Sequence, residues 1–336
     1  MEMIVDVYTH MYPKEYLRLL ESSSGAHSSK RTEDGWHIHY WGFNIPFLED
    51  SVWTSPERRM KVMDKYKVDM QVLTLGAPAL NRSGQDATAL AKASNDAIAK
   101  ISEKHPDRFV GVAEVPLNDL DEGLEEFDRT IKELGLKGIQ LQTTIEGRSI
   151  ASPEFLPLFE RASKYGVPVW LHPCPREATH WIYSAYRLDY IFCWPLETSI
   201  TMGELVMNGI MEKCAKLKVV THHLGAMFPF FMERFSNLIQ QRWMKGVLGI
   251  KLKKTPAEYV RLFYHDTALY GSKPGLECAY QVFDHEKICF GTDYMYGPEE
   301  GERFLRATLE SIREARIPQE DKERILGGNA AKLLNL

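Results

Sequence analysis

The feature that most limits the fold is a regular alternation of short apolar strands with helical stretches. The strand candidates are Met3–Val7, Asp69–Leu75, Phe109–Val115, Lys137–Gln142, Val167–His172, Lys218–Thr221, Phe263–Thr267 and Lys287–Asp293. Between most of them lie segments with helical signals. One example is Pro56–Tyr66, which carries proline in its first turn. Another is the alanine-rich stretch from Gln85 to Lys104, which ends before His105-Pro106. Strands that alternate with helices pair in parallel. Eight of them in 336 residues suit one (β/α)8 barrel, which takes roughly 250 residues plus insertions. An open doubly wound sheet is the rival, but no G-x-G-x-x-G follows the first strand and no phosphate-binding loop is present. The expectation is one barrel domain over residues 1–336. Residues 12–55, rich in serine and then aromatic, form an inserted subdomain or lid with a small hairpin.

The C-terminal ends of these strands carry ionisable groups. Strand one ends at His10, strand five at His172, strand six at His222-His223 and strand eight at Asp293. In a barrel these ends converge on one face. Two or three imidazoles with a carboxylate suit Zn²⁺, Mn²⁺ or a similar divalent ion. A net charge of −5 gives no reason to expect nucleic acid or an anionic membrane as partner. No apolar run reaches the roughly 18 residues of a membrane span. The N-terminal residues lack a signal-peptide pattern. Five scattered cysteines without a C-x-x-C pair suit a reducing, cytoplasmic compartment.

Taken together, Asp6-x-x-x-His10, Leu171-His-Pro173, His223-Leu-Gly-x-x-x-Pro229-x-x-x-x-Arg234, Phe290-Gly-Thr-Asp293 and Gly328-Asn-Ala-Ala-x-Leu-Leu334 resemble the amidohydrolase superfamily. More closely they resemble its aminocarboxymuconate-semialdehyde and dihydroxybenzoate decarboxylase branch. The resemblance covers nearly the whole chain, in the family's order. It implies a (β/α)8 barrel with one divalent metal ion, zinc first, manganese or magnesium as alternatives, and no organic cofactor. By the same transfer His10, His172 and Asp293 are ligands, and His223 and Asp293 handle protons. Arg234 matches an arginine that in some relatives reaches into the neighbouring subunit's site to hold a substrate carboxylate, which implies a homodimer or higher homo-oligomer. His222 falls where relatives carry glycine and is left out of this set. With His223 facing the axis, alternation along the strand would turn His222 away.

Tyr8 departs from the family pattern, which has H-x-H or E-x-H at this point. It is expected either to line the pocket and bind substrate or to act as a phenolate ligand. Trp181, in the long segment after strand five, is a further substrate-binding candidate. Trp36, Trp41, Phe43 and Phe47 form either a roof over the site or the core of the insertion. His37-x-His39 is expected on a surface or lid hairpin, and Asp266 behind the site or as a strand cap. The leading function is non-oxidative decarboxylation of an aromatic or unsaturated carboxylic acid, a small-molecule substrate. Metal-dependent hydrolysis or hydration of a related acid is the first alternative, and a metal-free degenerate barrel the second.

Overall fold

In the computed structural model, residues 3–80, 83–174, 186, 188–241 and 252–336 are described. The barrel strands are β1 (Val5–Met11), β2 (Met70–Leu75), β3 (Phe109–Gly111, continued by Ala113–Glu114), β4 (Ile139–Gln142), β5 (Val169–His172), β6 (Val219–Thr221) and β7 (Tyr264–His265). Neighbours pair in parallel from β1 to β2 to β3 and onward from β3 to β7. Residues 288–294 supply the eighth member. They are too irregular to form a continuous strand, yet Cys289 N donates to His265 O (2.8 Å) on one side, and Val7 N donates to Phe290 O (2.9 Å) on the other. His10 N to Tyr294 O (2.6 Å) and Asp293 N to Tyr8 O (3.0 Å) complete the closure. The ring of eight expected from the alternation is therefore present.

The barrel interior follows the period of two expected of strands. Val72, Val112, Trp170, Val220 and Cys289 form a buried cluster with Tyr8. Above it the interior turns polar, with Thr74, Glu114, Gln140 and His172 all buried. Outside, helices such as Ala87–Lys104 and Leu120–Lys132 cover the strands. The latter begins with Asp119 accepting from Asp121 N and Glu122 N, which satisfies two of the orphaned donors of its first turn. At the C-terminal end Arg324–Gly328 forms a π turn. Phe290 N donates to Ile325 O there (2.7 Å), and Asn329 Nδ2 donates to Ile288 O (2.7 Å). The Gly-Asn-Ala-Ala motif thus braces the eighth barrel segment.

The insertion contains more than a hairpin. Helix Lys14–Glu21 leads into a three-stranded antiparallel sheet, Ser28–Arg31, Gly35–Tyr40 and Phe43–Leu48. After β5, helix Leu188–Met207 begins earlier than the sequence suggests and continues through Pro195. Ser199 Oγ donates to Pro195 O (2.8 Å) and Thr198 Oγ1 to Trp194 O (3.3 Å) around that proline. Among the described residues no helix is long and apolar enough to cross a membrane.

Candidate metal centre

His10, His172 and His222 are each held by Nδ1. Thr74 Oγ1 donates to Thr9 O (3.0 Å) and lies 2.8 Å from His10 Nδ1. Having spent its own proton, the hydroxyl accepts from His10 Nδ1–H. His172 Nδ1–H donates to Pro173 O (2.8 Å). His222 Nδ1–H donates to Asp266 Oδ2, while Asp266 Oδ1 accepts from Leu224 N (3.1 Å) and Ala268 N (3.0 Å). With Nδ1 engaged, every Nε2 is left for the site, the arrangement that orients metal-binding imidazoles.

The three Nε2 atoms are buried and make no hydrogen bond. Ligand atoms of His10, His222 and Asp293 lie within 4.8 Å of one another. His10 Nε2 is 3.1 Å and His222 Nε2 3.4 Å from Asp293 Oδ1. His10, held neutral by burial with its proton on Nδ1, presents a lone pair to the carboxylate, an arrangement that a cation between them would make favourable. The His172 ring is 5.1 Å from that of His10 and 5.8 Å from that of His222. The donor set therefore fits a divalent ion.

Electrostatics agree. Burial pushes the His10 imidazole down and that of His172 well down, toward the neutral form that ligates. At His222 burial also opposes charge, but Asp266 and Asp293 outweigh it and lift the pKa to about 10. Burial works against the Asp293 carboxylate too, and His222 with His10 overcomes it, holding its pKa well below the usual range.

The structure corrects the expected register at the end of β6. His222, which the motif alignment left out and turned away, packs its ring 4.1 Å from Tyr8 and faces Asp293. Thr221 is the last strand residue, and His223, Leu224, Gly225 and Ala226 all take left-handed backbone angles (φ 56°, 55°, 68° and 56°). Strand alternation ends before His223, so both rings are buried and stack 4.0 Å apart. Burial, then the His222 charge, drives the His223 pKa down to about 3. The available signal was Val220: as an interior residue it places His222, two positions on, on the same face.

Tyr8 is wholly buried and its hydroxyl has no hydrogen-bond partner. Burial, then Asp266, Glu114 and Asp293, raises its pKa well above 10. Arg234 is not brought to the histidines. It is exposed on helix Phe228–Ile239 and lines an apolar groove of about 620 Å³ with Ile200, Met227, Phe231 and Leu238. Trp181 lies outside the described residues.

Sequence reasoning missed Tyr270, whose hydroxyl donates to Asp293 Oδ2 (2.7 Å), and two aromatic walls. Tyr296 stands 5.4 Å from His10, and Trp194 stands 5.5 Å from His172. Of the insertion's aromatics, Trp36 and Phe47 are core. Trp41 and Phe43 reach Trp194 (6.2 Å) and Tyr190 (5.2 Å) beside the site. His37 instead pairs with Asn44 (3.1 Å).

A family model described as amidohydrolase matches residues 35–336. The chain is 28% identical over 341 residues to a Dictyostelium discoideum protein named 2-amino-3-carboxymuconate-6-semialdehyde decarboxylase, covering 99% of this chain and 91% of that one. Among solved structures, 5-carboxyvanillate decarboxylase from Sphingomonas paucimobilis superposes with a TM-score of 0.85 at 23% identity, covering 100% of both chains. A dihydroxybenzoic acid decarboxylase from Polaromonas sp. JS666, with bound manganese and 2-nitroresorcinol, superposes with a TM-score of 0.81 at 24% identity, covering 100% of this chain and 98% of that one.

Proposed function

The chain belongs to the amidohydrolase family, and from that premise we propose that it is a metal-dependent, non-oxidative decarboxylase of an aromatic or unsaturated carboxylic acid. The observation that carries the reading is the approach of the His10 and His222 Nε2 atoms to Asp293, with the unpartnered His172 Nε2 beside them, in a buried, aromatic-walled site. The decarboxylase names of the relatives support the reaction class. His10, His172 and Asp293 would hold one divalent ion. Nitrogen-rich donors favour zinc; the Polaromonas structure carries manganese. When bound, the ion supplies Lewis-acid stabilisation of negative charge on a substrate oxygen.

The rest falls to the protein. Tyr296 and Trp194 flank an unsaturated ring and keep water out. His222 takes the proton-handling role first assigned to His223. Its Nδ1–H is fixed by Asp266, so Nε2 is the nitrogen that holds and gives up a proton. Asp266 orients the ring and stabilises its charged form, as a carboxylate does for a histidine base. Nε2–H protonates the ring carbon that bears the carboxylate. The bond to that carboxylate then breaks, its electron pair returns to the ring, and CO₂ leaves. His222 is left neutral and recovers its proton from solvent. Asp293 has both oxygens engaged, Oδ1 facing the histidines and Oδ2 accepting from Tyr270, so it serves as ligand and not as proton carrier.

Product analysis of the zinc- or manganese-loaded protein tests this. Hydroxybenzoates and 2-amino-3-carboxymuconate semialdehyde should release CO₂. Acid release from lactones or esters with no CO₂ from any acid would establish the hydrolase alternative instead. We further propose that a second copy covers the apolar groove around Arg234, where Phe230 is 83% exposed, and that the chain works in a reducing compartment, a reading supported by the thiols of Cys214, Cys278 and Cys289.

A further inference from the structure

We infer that Tyr270 is a positioning residue that decides which oxygen of Asp293 is offered to the metal ion. The inference rests on the proposed centre of His10, His172 and Asp293. Two independent observations lead to it. The first is the division of the carboxylate: Oδ1 lies 3.1 Å from His10 Nε2, and Oδ2 accepts the Tyr270 hydroxyl at 2.7 Å.

The second is backbone strain at both ends of that hydrogen bond. Tyr270 has φ 52° and Asp293 φ 63°. A bulky aromatic residue in the left-handed region is an outlier and persists only where its surroundings over-determine it. Here they do. The Tyr270 ring stacks on Phe304, with centroids 4.0 Å apart and planes 20° from parallel. Phe304 belongs to helix Glu302–Glu314, and the next residue, Gly271 (φ 93°), lies so close to it that a Cβ there would meet Ala307 Cβ at 2.7 Å. Helix, glycine and ring hold the phenol at Asp293.

The chemical consequence concerns denticity. A carboxylate with both oxygens loose can turn over or chelate an ion through both. With Oδ2 tied to Tyr270, Asp293 presents Oδ1 alone, already pointed at the histidines. The ion then meets a site that needs no rearrangement, and one coordination position is kept for substrate.

The test is metal affinity, read by competition with a chelator. Tyr270→Phe removes the hydroxyl and leaves the stack. Its affinity for zinc or manganese should fall by about 10–100-fold, the usual effect of losing an outer partner of a ligand. Phe304→Leu removes the stack and leaves the hydroxyl, with the helix and Gly271 still holding the loop; it should lower the melting temperature and cost clearly less affinity than Tyr270→Phe. If Tyr270→Phe lowers stability but binds the ion as tightly as wild type, the role is overturned and Tyr270 is structural. If wild type itself takes up no ion, the metal centre falls, and this role with it. His10→Ala separates the two cases: it should abolish binding whenever the centre exists.

Discussion

His222 joins two carboxylates through one ring, Asp266 on Nδ1 and Asp293 beside Nε2. Removing it should stop proton transfer and leave the ligands in place. His222→Asn should therefore lose at least about a hundredfold in turnover, since general acid–base groups contribute on the order of 10²–10⁴. Metal content by atomic spectroscopy should stay near one ion per chain. His223→Asn should lose much less, and the reverse ranking would return the proton to His223. Tyr8 supplies a second prediction. Burial and three nearby carboxylates disfavour its phenolate, so Tyr8→Phe should retain metal and raise KM; a large drop in metal content would make it a ligand. His10, His172 and Asp293 were readable because each ends a strand, where a barrel gathers its chemistry. His222 was misread because alternation applies only while the chain remains a strand, and the left-handed turn from 223 begins one residue later. Tyr270 carried no signal at all: it sits in a loop with neither motif nor periodicity, and its contact with Asp293 is purely tertiary.

That turn is the element on which the site depends most. Four consecutive left-handed residues carry the chain from β6 into helix Phe228–Ile239, and only Gly225 adopts such angles without penalty. A Cβ at Gly225 would also meet the Phe283 ring at 2.6 Å and His265 Nδ1 at 2.9 Å. Gly225→Ala should cost about 2–4 kcal/mol by chemical denaturation, combining the left-handed penalty with overpacking; a loss within error of zero would show that the turn relaxes freely. Strands buried on both faces, such as β2 and β5, were legible to within a few residues as short apolar runs. The start of helix Leu188–Met207 was hidden by Pro195, a residue that ordinarily breaks a helix. The insertion's third strand was hidden because Phe43–Leu48 contains Pro46, which only an edge strand tolerates.

At the scale of the molecule, the proposed ligands come from three barrel segments, so binding should stabilise the whole fold. An ion at a hundred times its dissociation constant adds about 2.7 kcal/mol if the unfolded chain does not compete. Stripping the protein with a chelator should lower its melting temperature, and readding zinc or manganese should restore it; an unchanged melting curve would argue against a shared centre. Assembly is testable by light scattering. A monomer at micromolar concentration would count against a second copy on the groove at Arg234. The parallel ring was legible because alternation constrains topology strongly; what covers the groove was not, since a surface pattern carries no partner's identity. Closure of the ring has one more consequence. His10 stands on the first barrel strand and Asp293 on the last segment, and the hydrogen bonds between those two are what bring them together. During synthesis the site therefore does not exist until the segment around Asp293 has left the ribosome. Metallation at the proposed centre would be a late event, and a nascent chain halted before residue 288 should capture no ion, however much of the barrel it has already formed.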